Sequence, residues 1–244
     1  MDINILPLLL FSFIAYLSMA FAGFGGIIIP ITLGAHFYPM KWMITILVPL
    51  ILLSNIYIII LHHRHIDWQV LLKKVLPLMF FGLIIGIAIF NWAQGDLLKK
   101  LLGILVVFLS LKELYFLYRT TKNQTPITKI KSGLYVFSAG IVHGVFASGG
   151  PLLIYVLSKM NLLKSVFRST LAVVWFTMNI LLIMSYIFSG RLNATSLKFS
   201  MMCIPSAVLG LLIGEFLHRR VDEKLFKIFV FIILVIAGLS IVIK

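Results

Sequence analysis

Apolar residues run almost unbroken along this chain and give way at intervals to short polar links. Neither the two-residue alternation of a half-buried strand nor the single apolar stripe of a soluble helix organises them. The runs are Ile3 to Leu33 (segment 1, interrupted by glycines), Trp42 to Leu61 (2), Val70 to Phe90 (3), Leu97 to Tyr118 (4), Gly133 to Ser158 (5, again broken by glycines), Ser169 to Phe188 (6), Leu197 to Leu217 (7) and Lys224 to Ile243 (8). A helix needs roughly 20 apolar residues to cross the hydrocarbon of a bilayer, and each run meets that length. The most polar stretch, Arg119 to Lys131, divides the chain near its middle. The pattern predicts an all-α polytopic membrane protein: a first repeat over 1–118, a polar loop over 119–131 and a second repeat over 132–244. Each repeat has about four hydrophobic segments.

Composition removes the soluble alternatives. Of 244 residues, 61% are hydrophobic and 11% charged, whereas a soluble domain is about half apolar and about a quarter charged. The net charge of +14 does not mark a nucleic-acid partner, because the lysines and arginines lie almost entirely in or next to the short links, where membrane proteins carry orientation signals. The partners expected are the lipid bilayer and a small solute. Cys203 is the single cysteine, so no disulfide forms within the chain. The stretch MDINILPLLL has no basic residue and no small-residue cleavage site, and the first run is expected to be retained.

The two halves read as a duplication. A shift of 124 places FGGIII (Phe24 to Ile29) on SGGPLL (Ser148 to Leu153) and Asn55 on Asn179. A shift of 128 places GLIIG (Gly82 to Gly86) on GLLIG (Gly210 to Gly214) and Pro77 on Pro205, and a shift of 127 places Lys100 on Lys227. Repeats of this kind build many secondary transporters.

Segments 1 and 5 carry FAGFGGIIIP (Phe21 to Pro30) and HGVFASGGPLLIY (His143 to Tyr155). Paired glycines beside a proline are expected to unwind a helix. Unwound backbone persists at membrane depth only where protein buries it or it lines a watery cavity. The helices that restart at Ile27 and Pro151 would aim free N–H groups at such a cavity and favour an anion. Gly23, Gly25, Gly26, Ser148, Gly149 and Gly150 are the candidate lining residues. Close helix packing is the other reading of such glycines.

With these features the chain resembles the sulfite exporter TauE/SafE family of membrane transporters. The residues that carry the resemblance are GFGG and SGG, each early in a repeat, and the Ser/Thr positions near the start of the next segment (Thr45, Ser169, Thr170). The turn HHRHIDW (His62 to Trp68) and the glycine-rich GLIIG and GLLIG belong to the same pattern, over about residues 10 to 243. The second repeat departs from it: RLNA (Arg191 to Ala194) stands where the first has HIDW, and SGGP replaces a longer glycine string. The resemblance implies transport of small sulfur-containing or organic anions such as sulfite or sulfonates.

The charges discriminate between two topologies. If all eight segments cross once, the 21 basic residues divide 11 to 10 and give no orientation. If segments 1 and 5 are hairpins that return to their own side, only Lys41, Lys99, Lys100, Arg191, Lys198 and Lys244 share a side with the N-terminus, and the other 15 lie opposite. That split follows the positive-inside rule. It makes the repeats inverted and puts both termini outside the cytoplasm of a cell inner membrane.

Few polar groups lie within the segments, and those few are candidates for function. Asn55 and Asn179 can donate to an anion without carrying charge, or form an interhelical hydrogen bond. His143 is a candidate for proton coupling, or a packed and hydrogen-bonded core histidine. Lys41 and Arg168 could steer an anion, or serve as headgroup charges. His62, His63 and His65 share one link and do not make the geometry of a metal site. No metal or cofactor is expected. HExxH and GxSxG are absent and no Asp pair sits mid-segment, so an enzyme is disfavoured. The expected function is a secondary anion transporter working by alternating access, with an anion channel as the alternative and a membrane enzyme or receptor behind it.

Overall fold

The computed structural model describes residues 5–22, 26–118, 127–160, 162–218, 220 and 223–243. The helices are α1 (Ile5–Ala22), α2 (Ile28–Gly34), α3 (Met40–His62), α4 (Trp68–Val70), α5 (Leu76–Trp92), α6 (Gly95–Tyr118), α7 (Lys129–Phe146), α8 (Gly150–Ser158), α9 (Lys164–Phe188), α10 (Ala194–His218) and α11 (Glu223–Ile243). A π-helical turn, Leu71–Val75, joins α4 to α5 in one rod. No strand occurs among the described residues. Among the described residues, five stretches are long and apolar enough to cross a membrane: Met40–Ile60, Trp68–Trp92, Gly95–Tyr118, Ser169–Phe188 and Ala194–Leu217. Outward faces are apolar: Leu212 on α10, and Phe229 and Ile236 on the shorter apolar helix α11, are each more than 60% exposed. Apolar surface on that scale belongs against lipid. The predicted segments agree with the helices to within a few residues, except that segments 1 and 5 each contain two helices.

The helices form two compact units, and each draws on both halves of the sequence. One holds α1, α2, α3 to Leu50, α6, α10 and α11; the other holds α3 from Ile51, α4, α5, α7, α8 and α9.

In the first unit α1 lies against α10 through glycines. A Cβ on Gly210 would collide with the carbonyl of Phe13, and one on Gly214 would sit 2.5 Å from the carbonyl of Leu17 and 2.8 Å from Ala20. Small residues four apart let two backbones approach this closely. The contacts advance together along both helices, so α1 and α10 run parallel. α6 meets α11 at Gly103 and Gly238: a Cβ on Gly103 would lie 2.7 Å from Val242, and one on Gly238 would lie 2.9 Å from Val107. Here one chain advances as the other retreats, so α6 and α11 are antiparallel. The Ser200 hydroxyl donates to the Ile46 carbonyl at 2.8 Å and ties α10 to α3. Asn193 and Ser196 cap α10 reciprocally: the Ser196 N–H donates to Asn193 Oδ1 at 3.0 Å and the Asn193 N–H to Ser196 Oγ at 2.8 Å. After α1 the chain doubles back. The Phe37 ring lies 5.6 Å from that of Phe11, which precedes the end of α1 by about 16 Å of helix.

The second unit repeats the glycine contact. A Cβ on Gly82 would collide with the carbonyl of Phe137, and one on Gly86 would collide with the carbonyl of Ile141 and sit 2.7 Å from Gly144 Cα. So α5 and α7 are parallel. Phe137, Ile141 and Gly144 are the residues that the shift of 124 places on Phe13, Leu17 and Ala20. The α4–α5 rod also runs beside α9. At its start Ser169 Oγ donates to the His65 carbonyl at 2.8 Å, and the Asp67 N–H donates to Thr170 Oγ1 at 3.1 Å. At its end the Phe90 and Tyr186 rings are 5.8 Å apart. The rod and α9 are therefore parallel, and so are α7 and α9. Only α8 separates α7 from α9 in the chain, so α8 must bring the chain back. The Tyr155 ring accordingly lies 5.1 Å from that of Tyr135 on α7. The departure of RLNA from HIDW is conservative in effect: Asp67 Oδ1 caps α4 by accepting the Val70 N–H at 2.9 Å, as Asn193 caps α10.

Candidate functional site

The clearest break lies between α7 and α8, within the second unit. Helix α7 ends when Ala147 turns left-handed (φ 51°, ψ 27°), its N–H donating to the His143 carbonyl at 2.7 Å. The sequence pointed to the glycines as the residues that unwind the chain. The turn is made instead by an alanine, at a cost of about 1–2 kcal/mol. The two glycines that follow do different work. A Cβ on Gly149 would collide with the carbonyl of Ala139 and sit 3.2 Å from His143 Cβ, so close packing demands glycine there. A Cβ on Gly150 would meet only Ile154 Cδ1 and Trp175 Cζ2, both at 4.0 Å. Packing does not require glycine at 150, where a Cβ has room at ordinary contact distance.

Gly150 lies at the start of α8. Pro151 occupies the first turn and has no N–H, while the Leu153 N–H donates to the Gly149 carbonyl at 3.3 Å. The N–H groups of Gly150 and Leu152 precede the first helical hydrogen bond and have no acceptor within the helix. Ser148 beside them is half-buried. The sum is a small set of backbone and hydroxyl donors with no carboxylate on α7 or α8.

His143 closes the other side. It is buried, its ring stacks on Trp175 with centroids 5.2 Å apart at 17°, and Nε2 lies 3.2 Å from Asn179 Oδ1. Nδ1 accepts the Gly149 N–H at 3.4 Å. A single neutral tautomer, protonated on Nε2, satisfies both contacts. His143, Asn179, Gly149 and Gly150 are thus brought together as one cluster. Sequence reasoning missed Trp175. Its signal was its position one helical turn before Asn179, which places both on one face of α9. Trp175 and Asn179 lie 11 and 15 residues into a helix of 25 residues, near its mid-length.

The other candidates are more scattered. Asn55 is fully buried on α3, and neither its Oδ1 nor its Nδ2 has a hydrogen-bond partner among the described residues. Gly26 is buried at the turn before α2 in the first unit, and Gly23 and Gly25 lie outside the described residues. Helix α2 has only seven residues, and the Thr32 hydroxyl donates to the Ile28 carbonyl at 2.6 Å. Lys41 is half-buried at the start of α3, where its carbonyl accepts the Thr45 hydroxyl at 2.8 Å. Arg168 lies in the first turns of α9, and its side chain is outside the described set.

A family model described as sulfite exporter TauE/SafE matches residues 8–241. Comparison with curated proteins and with solved structures finds no match. A match over nearly the whole of this helical, membrane-length chain settles the family: the protein belongs to the sulfite exporter TauE/SafE family, a family of membrane transporters rather than enzymes.

Proposed function

We propose that the protein is a secondary carrier of small anions, sulfite and sulfonates foremost, working by alternating access. The observation that carries this reading is the α7–α8 break. There the Gly150 and Leu152 N–H groups lack a helical acceptor, Gly150 has room for a Cβ 4.0 Å from Trp175, and the His143–Asn179 pair lies beside Gly149, with Ser148 next to it in the chain. Donors without full positive charge hold a small anion firmly enough to select it and weakly enough to release it. The buried Asn55 supports the same chemistry. An amide left unsatisfied in an apolar interior costs about 1–3 kcal/mol, a cost that an anion accepting from its Nδ2 would offset. In this reading Gly26, in the turn before α2, is the first unit's counterpart of the break, and Lys41 at the start of α3 steers anions within that unit.

An inverted repeat suits alternating access, and two observations support one. The glycine contact between Phe13/Leu17 and Gly210/Gly214 recurs between Phe137/Ile141 and Gly82/Gly86. Helices α6 and α11, equivalent under the shift of 127, run antiparallel within one unit. The doubled-back segments also match the topology that places 15 of the 21 basic residues opposite the termini, which puts both termini outside the cytoplasm.

Purified protein in proteoliposomes provides the test. Labelled sulfite should move at a rate that saturates with concentration and is reduced by excess methanesulfonate. A flux that stays linear in sulfite concentration identifies a channel, and no flux above protein-free liposomes for either anion overturns the reading.

A further inference from the structure

We propose that His143 is a proton-operated latch on the α7–α8 break, so that one proton binds with each anion. This rests on the carrier reading and adds the coupling ion to it.

In the neutral state Nδ1 accepts the Gly149 N–H and Nε2–H donates to Asn179 Oδ1. The latch is closed: the Gly149 donor is spent on the imidazole, and Asn179 is held in one amide orientation. A proton from water that adds to Nδ1 turns that acceptor into a donor. The Gly149 N–H···Nδ1 bond breaks, while Nε2–H keeps its bond to Asn179. Two donors, Nδ1–H and the Gly149 N–H, then face each other at the edge of the break, next to Gly150. A single anion oxygen can accept from both. When the anion leaves, Nδ1 returns its proton to water and the bond to Gly149 re-forms.

The charge environment makes the two events depend on each other. The sequences of α5, α7, α8 and α9 contain no Asp or Glu. Helix α5 carries no titratable side chain. On α8 the titratable group is Tyr155, engaged with Tyr135 of α7. On α9 Lys164 and Arg168 precede Trp175, and Tyr186 follows Asn179, by about two turns or more. The remaining basic residues of α7, Lys129 and Lys131, lie at its far end. In α3 from Ile51 the groups are Tyr57, which is exposed, and His62. Asp67 caps α4 beside Thr170, with its carboxylate taken by the Val70 N–H. A buried imidazolium here has the Trp175 face for cation–π support but no counter-ion on these helices, and an uncompensated buried charge is expensive. The anion is the missing counter-ion. The equivalent position of the first repeat is Met19, so a latch of this kind belongs to one repeat alone.

The test uses methanesulfonate, which stays anionic throughout the titration. With Trp42, Trp68 and Trp92 replaced by Phe, Trp175 is the sole indole, and imidazolium formation against it quenches its fluorescence. Saturating methanesulfonate should move the quenching midpoint to higher pH. In proteoliposomes methanesulfonate uptake should rise about tenfold per unit of acidification on its steep limb. His143→Gln preserves one acceptor and one donor, and should remove the quench and hold uptake within about twofold across that range. A midpoint unmoved by methanesulfonate, alongside saturable flux, overturns the latch and leaves the carrier intact. A wild-type pH profile in His143→Gln does the same. Should His143→Gln fail to fold, the midpoint shift on the His143 background decides alone. Absence of flux for both methanesulfonate and sulfite overturns the carrier reading and the latch with it.

Discussion

Gly149 and Gly150 are adjacent, yet substitution at each should fail in a different way. Leucine at 150 extends into the space over the α8 N-terminus, where a Cβ has only ordinary contacts at 4.0 Å with Ile154 and Trp175. Stability should hold or rise by a few tenths of a kcal/mol, since leucine suits a helix better than glycine. Transport should collapse. An anion displaced from the Gly150 and Leu152 N–H groups loses two charge-assisted hydrogen bonds worth about 1.5–3 kcal/mol each. That sum is a loss of about 100-fold or more in uptake at subsaturating sulfite. Gly149→Ala drives a methyl into the Ala139 carbonyl and should cost about 1–3 kcal/mol of stability through overpacking. Thermal unfolding in detergent and initial uptake rates in proteoliposomes give both quantities for each variant. Wild-type uptake in Gly150→Leu would refute the anion space. Equal destabilisation by Gly150→Leu and Gly149→Ala would refute the distinction between an open and a packed glycine.

Asn55→Leu removes an amide with no partner among the described residues. It should leave thermal stability unchanged or raise it, while cutting sulfite uptake at least about tenfold by the loss of one hydrogen bond to the anion; a large fall in stability would instead show a structural role. Gly82→Ala and Gly210→Ala press a methyl into equivalent carbonyls, of Phe137 and Phe13, and should destabilise by similar amounts, about 1–3 kcal/mol each. Thermal unfolding of the two variants would contradict the repeated contact if one were neutral. A reporter fused after Lys244 should report an extracytoplasmic C-terminus, and a cytoplasmic signal would reverse the orientation drawn from the basic residues.

The helices were legible because the bilayer sets their length: a run of about 20 apolar residues has few alternatives. The match of Gly82 and Gly86 with Gly210 and Gly214 was legible because only glycine fits where two backbones touch, as they do at each of these positions. The doubling back at segments 1 and 5 was legible only through the distribution of lysines and arginines, since apolar length alone fits a single crossing. Three features of the site were not legible. Ala147 in the left-handed region reads as an ordinary helical residue, because the strain that holds it there comes from packing around the break. The division of labour between Gly149 and Gly150 depends on which carbonyl lies opposite each, and that partner, Ala139, sits ten residues away on a helix that folds back. Trp175 reads as one more apolar residue until its stack on His143 is seen.

The anion site itself is most directly tested by selenite, a heavier analogue of sulfite, in crystals measured at the selenium absorption edge. An anomalous peak within hydrogen-bonding distance of the Gly150 and Leu152 N–H groups, beside Trp175, is the predicted result. Selenium peaks found only elsewhere in the protein, with the break empty at concentrations that block sulfite uptake, would contradict it.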